Sequence, residues 1–149
     1  MLFRSFEVTS VDAAEQGLAK AQRLAAAHGV ALVTQQADVT ALALGTATWD
    51  AIVSIFLHLP AAERSDLHAR CIAALRPGGV FVAEAYTPEQ LGHGTGGPRE
   101  SALLVTLAEL EADFAGCRIE HRFSGVRRVV EGTLHTGDAH VAQLVARRA

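Results

Sequence analysis

Two carboxylates and a small set of imidazole, phenol and guanidinium groups stand where this 149-residue sequence could do chemistry. Asp12 ends an alternating run, Phe6 to Asp12 (FEVTSVD), just as a helical pattern begins, and Asp38 lies two residues past a second strand-like run, Val30 to Gln36. In an open α/β sheet, ligands bind beyond the carboxyl ends of the strands, and a right-handed βαβ crossover brings like ends together. Both acids are therefore expected on one edge of a sheet, with Asp12 facing the ribose of a bound nucleotide. A carboxylate suits a diol because it only accepts hydrogen bonds and has two oxygens to do it with. His58, in the turn Leu57-His58-Leu59-Pro60, is an imidazole that titrates near physiological pH and could orient an acceptor or take its proton. Glu84 and Tyr86 end the run VFVAEAY, Arg99 offers a fork that matches a carboxylate, and His135 lies in the turn-rich EGTLHTGD. Each also has a plain structural reading: Asp12 as a helix cap, Asp38 as a solvated loop acid, His58 as a turn residue, Phe56 as core, Glu84 against a core-edge partner, and Arg99 and His135 as exposed polar groups.

Other chemistries are disfavoured by what the sequence lacks. There is no G-x-S-x-G motif or plausible Cys-His pairing for a covalent nucleophile. Cys71 and Cys117 are far apart, without a C-x-x-C or histidines at ligand spacing, so neither a disulfide framework nor a structural zinc site is expected. The net charge of −3, with scattered basic residues, argues against nucleic acid as a partner. No apolar run approaches the ~18 residues of a membrane span, and a reducing cytoplasm fits the cysteine usage.

The elements that must position these groups follow from periodicity. After the Phe6 strand, Asp12 and Glu15 have capping-box spacing, Ala14, Leu18, Ala21 and Ala25 mark a helical face, and His28-Gly29 stops it. Val30 to Gln36 reads as a largely buried strand, and AIVSIF as a run buried on both faces of a parallel sheet. Pro60 opens a helix carrying Leu67, Cys71, Ile72 and Leu75, which Arg76-Pro77-Gly78-Gly79 ends. The loop TPEQLGHGTGGPRE after the next strand reads as a lid, a binding loop or a locally disordered segment. Thr106 and Glu109 form another capping box, and two β-like stretches, Arg118 to Val130 and His140 to Ala146, make a closing hairpin. The order is that of an α/β domain with an antiparallel finish. Residues 1–5, MLFRS, do not blend into the first strand. Leu2 to Ser5 can be encoded by CTC TTC CGA TCT, the end of a common sequencing adapter, so a non-native or disordered start is expected there, followed by a single partial domain over 6–149.

VTSVD before a helix, QQADV, WDAIVSIFLHLP, LRPGGVFVAEAY, GTGGPRE and EGTLHTGDAHVAQLVAR, in that order, resemble the strand-end motifs of class I S-adenosylmethionine-dependent methyltransferases, and within them the small-molecule and tellurite-resistance type. The resemblance implies a Rossmann-like, mostly parallel sheet with helices on both faces and a C-terminal antiparallel hairpin. It lacks the family's first strand and glycine-rich G-x-G-x-G loop, a strand whose place is between the Phe6 and Ala51 strands. The resemblance further implies S-adenosyl-L-methionine as cofactor, Asp12 on the ribose hydroxyls, and Asp38 on the adenine amino group with the Val39 backbone N–H on a ring nitrogen. Ser54 would stand near the methyl donor, and His58, Tyr86 and His135 on the side of a small-molecule acceptor. Without the glycine-rich loop, cofactor binding and activity are expected to be impaired. Loss of a central strand would leave edges open to self-association. Two rival readings stand beside it. One is an NAD(P)-binding oxidoreductase fragment, for which an acid ending the second strand would serve equally, although the Tyr-x-x-x-Lys pair of short-chain dehydrogenases is absent because Gln90 follows Tyr86 at that spacing. The other is a non-catalytic α/β module that pairs with another chain.

Overall fold

The computed structural model describes residues 6–130 and 136–149. They form two units, Met1–Ala43 and Leu44–Ala149.

The first unit is one βαβ turn: β1 (Thr9–Asp12), α1 (Glu15–Ala27) and β2 (Val33–Gln36). β1 and β2 pair in parallel, with Thr9 opposite Val33 and Asp12 opposite Gln36. Both strands are shorter than their apolar patterns predict. Phe6 and Val8 lie outside β1 and are exposed, and Val33 is 64% exposed, so β2 is not the largely buried strand expected. With only two strands and one helix in the unit, there is little to cover them. Helix α1 has a single buried residue, Leu18, and stops where predicted: Gly29 takes φ +65, and the Val30 N–H closes back on the Ala25 carbonyl at 3.0 Å. Its cap is not the expected one. Ala14 is the N-cap, and Asp12 instead accepts the Ala14 N–H at 2.8 Å, an Asx-type turn that ends the strand.

The second unit is a four-stranded sheet with helices on it. Its elements are β3 (Trp49–Ile55), α2 (Ala61–Ala74), β4 (Leu75–Tyr86), α3 (Leu107–Asp113), β5 (Arg118–Val130) and β6 (Thr136–Arg147), in spatial order β3-β4-β6-β5. β3 and β4 are parallel, and the β4–β6 and β6–β5 pairs are antiparallel. The α/β class, the parallel pairings and the closing hairpin match the pattern of the sequence. The strands, however, are divided between two sheets in which β1 and β3 are both edges.

Helix α2 buries Leu67, His68, Cys71 and Ala74, a stripe at helical spacing. His68 lies edge-on to Phe81 of β4 and tilted against Phe114, just past α3, so both helices share one face of the sheet. Phe81, Phe114, Leu75, Leu110 and Leu144 are its largest fully buried apolar side chains. Each contributes roughly 1.5–3 kcal/mol through loss of water contact. Asp113 at the end of α3 ties the helices together, accepting from Arg64 Nε (2.9 Å), Ser65 Oγ (2.6 Å) and His68 Nδ1 (2.8 Å). The other face of β3 is not covered as its apolar run predicts: Val53 is 63% and Ile55 48% exposed.

Arg76-Pro77-Gly78-Gly79 does more than stop α2. Leu75 already pairs with Trp49, and the register then jumps so that Ala51 meets Val80, leaving the four residues as an irregularity inside β4. Glycine is required at 79 because a Cβ there would stand 2.8 Å from the Arg76 carbonyl and 3.2 Å from the carbonyls of Trp49 and Asp50. Near the other end, β6 begins at Thr136, four residues before the predicted His140.

Candidate functional site

In the first unit, β1 and β2 deliver Asp12 and Asp38 to the same, carboxyl-terminal edge of their parallel sheet. Asp12 is the last residue of β1, and Asp38 lies two residues past Gln36. Each uses Oδ1 locally. Asp12 Oδ1 takes the Ala14 N–H, while Asp38 Oδ1 takes the Thr40 N–H (2.9 Å) and the Thr40 hydroxyl (2.7 Å). Those Thr40 bonds hold the Asp38 carboxyl below its usual range, with the side-chain bond first. Both acids are exposed, and Oδ2 of each has no further partner among the described residues. The turn beside Asp12 is kept small: a Cβ on Gly17 would lie 3.2 Å from Asp12 Oδ2. Exposed carboxylates with one oxygen uncommitted suit a ribose diol and an exocyclic amine. Val39 is half-buried in the same turn.

In the second unit, β3 ends at Ile55, and the chain turns through Phe56, which adopts φ +52 while its N–H bonds the Glu84 carbonyl at 2.8 Å. A bulky residue in the left-handed region is strained, and such residues persist where surrounding packing over-determines them. Here the Phe56 ring stacks on Tyr86, centroids 4.4 Å apart and 16° from parallel. Two residues on, the His58 ring also stacks on Tyr86, at 5.5 Å and 3°. His58 Nδ1 lies 3.1 Å from the Leu103 carbonyl oxygen. A carbonyl can only accept, so Nδ1 carries the proton and donates it, and Nε2 is left with the lone pair. Nε2 is buried and has no hydrogen-bond partner among the described residues. Burial pushes the His58 pKa below the ordinary imidazole value, against the opposing pull of the Leu103 bond. The result is a neutral imidazole with a fixed tautomer and an unsatisfied basic nitrogen.

The remaining candidates have different places. Tyr86 is 2% exposed and belongs to a core cluster with Leu104, Val129, Ala139 and Val141, so its ring serves as the platform for His58. Glu84 is committed to the structure: Arg127 Nε reaches both its oxygens at 3.0 and 3.1 Å, and Gln143 Nε2 donates to Oε2. Ser54 lines an internal cavity of about 20 Å³ with Leu67, His68 and Leu110, room for about one water and no cofactor. Arg99 is exposed. His135, like residues 1–5, lies outside the described residues. No group of acids, histidines and cysteines able to hold a metal occurs among the described residues.

The loop after Tyr86 is neither a free lid nor shapeless. It holds 3₁₀ turns at Pro88–Gly92 and Ser101–Leu103, and Gln90, 2% exposed, ties it to β6. No sequence signal marked Gln90, because its importance lies in contacts with residues 50 positions away.

Residues 1–79 match the family described as Methyltransferase domain. The chain belongs to that family. Among solved structures, similar folds include TehB from Haemophilus influenzae, at 17% identity and a TM-score of 0.74 over 97% of this chain and 50% of that one. The N-methyltransferase NodS from Bradyrhizobium japonicum WM9 is similar at 12% identity and a TM-score of 0.70, over 95% of this chain and 73% of that one. A third is the protein solved in work on converting a disulfide bond into a thioacetal group during echinomycin biosynthesis, at 20% identity and a TM-score of 0.74, over 96% of this chain and 66% of that one. The chain thus spans half to two thirds of the length of two of these three. No curated protein sequence matches it. The family match favours the methyltransferase reading over the oxidoreductase one, and the fold similarity to a solved methyltransferase agrees with the α/β architecture described above.

Proposed function

We propose that this methyltransferase-family chain uses S-adenosylmethionine to methylate a small-molecule acceptor, and that its hold on the cofactor is weak. The observation that carries the reading is the pair Asp12 and Asp38 at one edge of a parallel βαβ sheet, each with Oδ2 uncommitted, beside a glycine that leaves room at Asp12. Asp12 would accept from the ribose hydroxyls and Asp38 from the adenine amino group, with the Val39 backbone N–H serving a ring nitrogen. Bound S-adenosylmethionine would supply a methyl group on a sulfonium, open to in-line displacement. On the acceptor side the chain's candidate base is His58, which would take the proton of an O–H, N–H or S–H acceptor once Nε2, enclosed in this conformation, is uncovered. Tyr86 and Leu103 hold that ring in place. Weak binding is what the resemblance implies, because the family's glycine-rich turn belongs to the strand before the one that ends in Asp12, whereas the G-x-G-x-G of this sequence, Gly92 to Gly96, stands after β4.

Calorimetry with S-adenosylhomocysteine tests the reading. Weak, saturable binding is expected, lost in Asp12→Asn. Binding that survives Asp12→Asn overturns the carboxylate assignment, tight binding by the unaltered chain overturns the weakness, and preference for NADH over S-adenosylhomocysteine revives the oxidoreductase. No helix among the described residues is long and apolar enough to cross a membrane, and Cys71 and Cys117 are both free thiols, which supports a reducing cytoplasm. We also infer that the chain self-associates through the open edge of β3, where Ala51 to Ile55 carry no charge to repel a second copy.

A further inference from the structure

We infer that Gln90 is a positioning residue for His58: it pins the glycine-rich segment that fixes both the plane and the tautomer of the imidazole. The inference rests on the reading of His58 as the acceptor-side base and adds to it the part of the chain that keeps that base in one state.

The Gln90 amide is buried, and its three partners leave only one orientation. Oε1 accepts the His140 backbone N–H at 2.8 Å, which must donate, and Nε2 gives hydrogens to the Gly96 carbonyl at 3.1 Å, which must accept, and to Thr95 Oγ1 at 2.8 Å. The Thr95 hydroxyl in turn donates a hydrogen bond to the Asp138 carbonyl at 2.8 Å. One side chain therefore clamps residues 95 and 96 to the start of β6. The fit leaves no slack, since a Cβ on Gly137 would lie 2.7 Å from Thr95 Cγ2.

What this clamp holds is the next residue. Gly97, at φ +88, lies so close to Tyr86 that a Cβ would stand 2.7 Å from the ring's Cδ2 and 3.2 Å from Cγ and Cε2. Its backbone packs on the aromatic ring that stacks with His58. The same segment then runs through Ser101–Leu103, where the Leu103 carbonyl takes the Nδ1 proton of His58, and returns to the sheet as the Val105 N–H bonds the Tyr86 carbonyl at 3.1 Å. Both determinants of the His58 state, the stacked plane and the carbonyl partner, are thus in or against a segment fastened at one end by Gln90. Unfastened, a glycine-rich stretch has too little packing of its own to keep its place, because glycine surrenders the most backbone freedom on ordering.

The test is long-range ¹H–¹⁵N spectroscopy of the imidazoles in the full chain, above the ordinary imidazole pKa of about 6.5 so that His58 is neutral. The His58 signals are assigned by their loss in His58→Gln. Wild type is expected to show a single protonated Nδ1 and a lone-pair Nε2. In Gln90→Ala, and in Thr95→Val as a milder change that removes the hydroxyl bridge, the two nitrogens should move toward averaged shifts as the tautomers mix. Leu91→Ala, next to Gln90 but pointing an exposed side chain outward, should leave them alone. Far-ultraviolet circular dichroism establishes that each variant is folded. A wild-type His58 pattern in either folded clamp variant overturns the inference, as does averaging in wild type itself. Failure of the parent reading shows elsewhere, as unaltered methyl transfer in a His58 variant, and leaves the spectroscopic outcome intact.

Discussion

At the scale of single residues, His58 separates two things that sequence alone leaves merged. Its position after a strand end was legible, but its state was not. That depends on Leu103, 45 residues away, and on a tyrosine ring from another strand. Because burial lowers its pKa, His58 favours folding most where it is neutral. That contribution is present above the unfolded imidazole value and is lost as pH falls through it toward the lower folded value. Its titration midpoint, followed by NMR, is expected below about 6.5, and a midpoint at or above that value removes the case for a neutral, desolvated base. With an accepted substrate, His58→Ala should lower turnover by roughly 10²–10⁴-fold while leaving S-adenosylhomocysteine affinity unchanged. Equal loss of both would mean structural damage. The two thiols supply a check on the packing that surrounds these groups. Burial pushes Cys71 up to about 11, and Cys117, only half-buried, is raised for the same first reason. Iodoacetamide at neutral pH should therefore modify Cys117 well before Cys71, and parity between them would show that α2 does not bury its inner stripe as described. Asp12 and Asp38 were readable because strand ends and helix starts are local features. For Glu84 the plain reading of a core-edge partner holds, but its partners Arg127 and Gln143, like the place of Tyr86 between Phe56 and Gly97, were not readable, since these residues are distant in sequence and adjacent only once the sheet forms.

At the scale of elements, two similar local signals had different outcomes. Thr106 and Glu109 form the capping box their spacing predicts, with the Thr106 hydroxyl accepting the Glu109 N–H at 3.2 Å and Glu109 Oε2 taking the Thr106 N–H at 2.8 Å. Asp12 and Glu15 have the same spacing, yet the cap of α1 falls two residues later, at Ala14, because Asp12 completes β1 and its carboxylate closes on Ala14 instead. Extended backbone is no bar to capping, since Ala14 and Thr106 are themselves extended, but Asp12 stands two residues before the cap position and its carboxylate is spent on the turn that leads there. The helix pair over the larger sheet depends on another acid. Burial raises the Asp113 pKa, but bonds from Ser65, Arg64 and His68 outweigh it, and the net shift is downward. A depressed carboxyl stabilises the fold above its unfolded pKa and ceases to do so as pH falls through the folded one. His68, lowered chiefly by burial and partly held up by Asp113, acts in the same direction from a higher starting point. Acid should therefore weaken the fold first below the ordinary histidine value and again below the ordinary aspartate value. Asp113→Ala, which leaves Arg64 and His68 buried beside an empty position, should cost about 3–5 kcal/mol in urea unfolding. It should also blunt the lower of the two acid transitions. A change under about 0.5 kcal/mol, as at ordinary surface sites, would show the staple between α2 and α3 to be incidental.

At the scale of the whole molecule, the sequence order predicted one sheet, and the structure divides the strands into two, with β1 and β3 as edges. The alternation of residues records which faces a strand would bury, but not whether a neighbour is present to bury them. AIVSI reads as a strand enclosed on both sides, and Val53 and Ile55 are nonetheless exposed. The two edges of the larger sheet differ in a way that bears on association. β5 carries Arg118, Glu120, Arg122, Arg127 and Arg128 along its 13 residues, the kind of charged edge that discourages another strand. β3 has one charge, Asp50, already bonded to Arg76, and from Ala51 to Ile55 none. In an antiparallel pairing of two β3 strands about Val53, no like charges would meet, and the exposed valines and isoleucines of the two copies would cover one another. Sedimentation velocity is expected to show a concentration-dependent dimer. Val53→Lys, which puts a charge on each side of the two-fold, should shift it to monomer, whereas the same substitution at Val130, 70% exposed on the charged strand, should not. A wild type that remains monomeric across the accessible concentration range, or a dimer that Val53→Lys leaves intact, would mean that the β3 edge is not where copies meet.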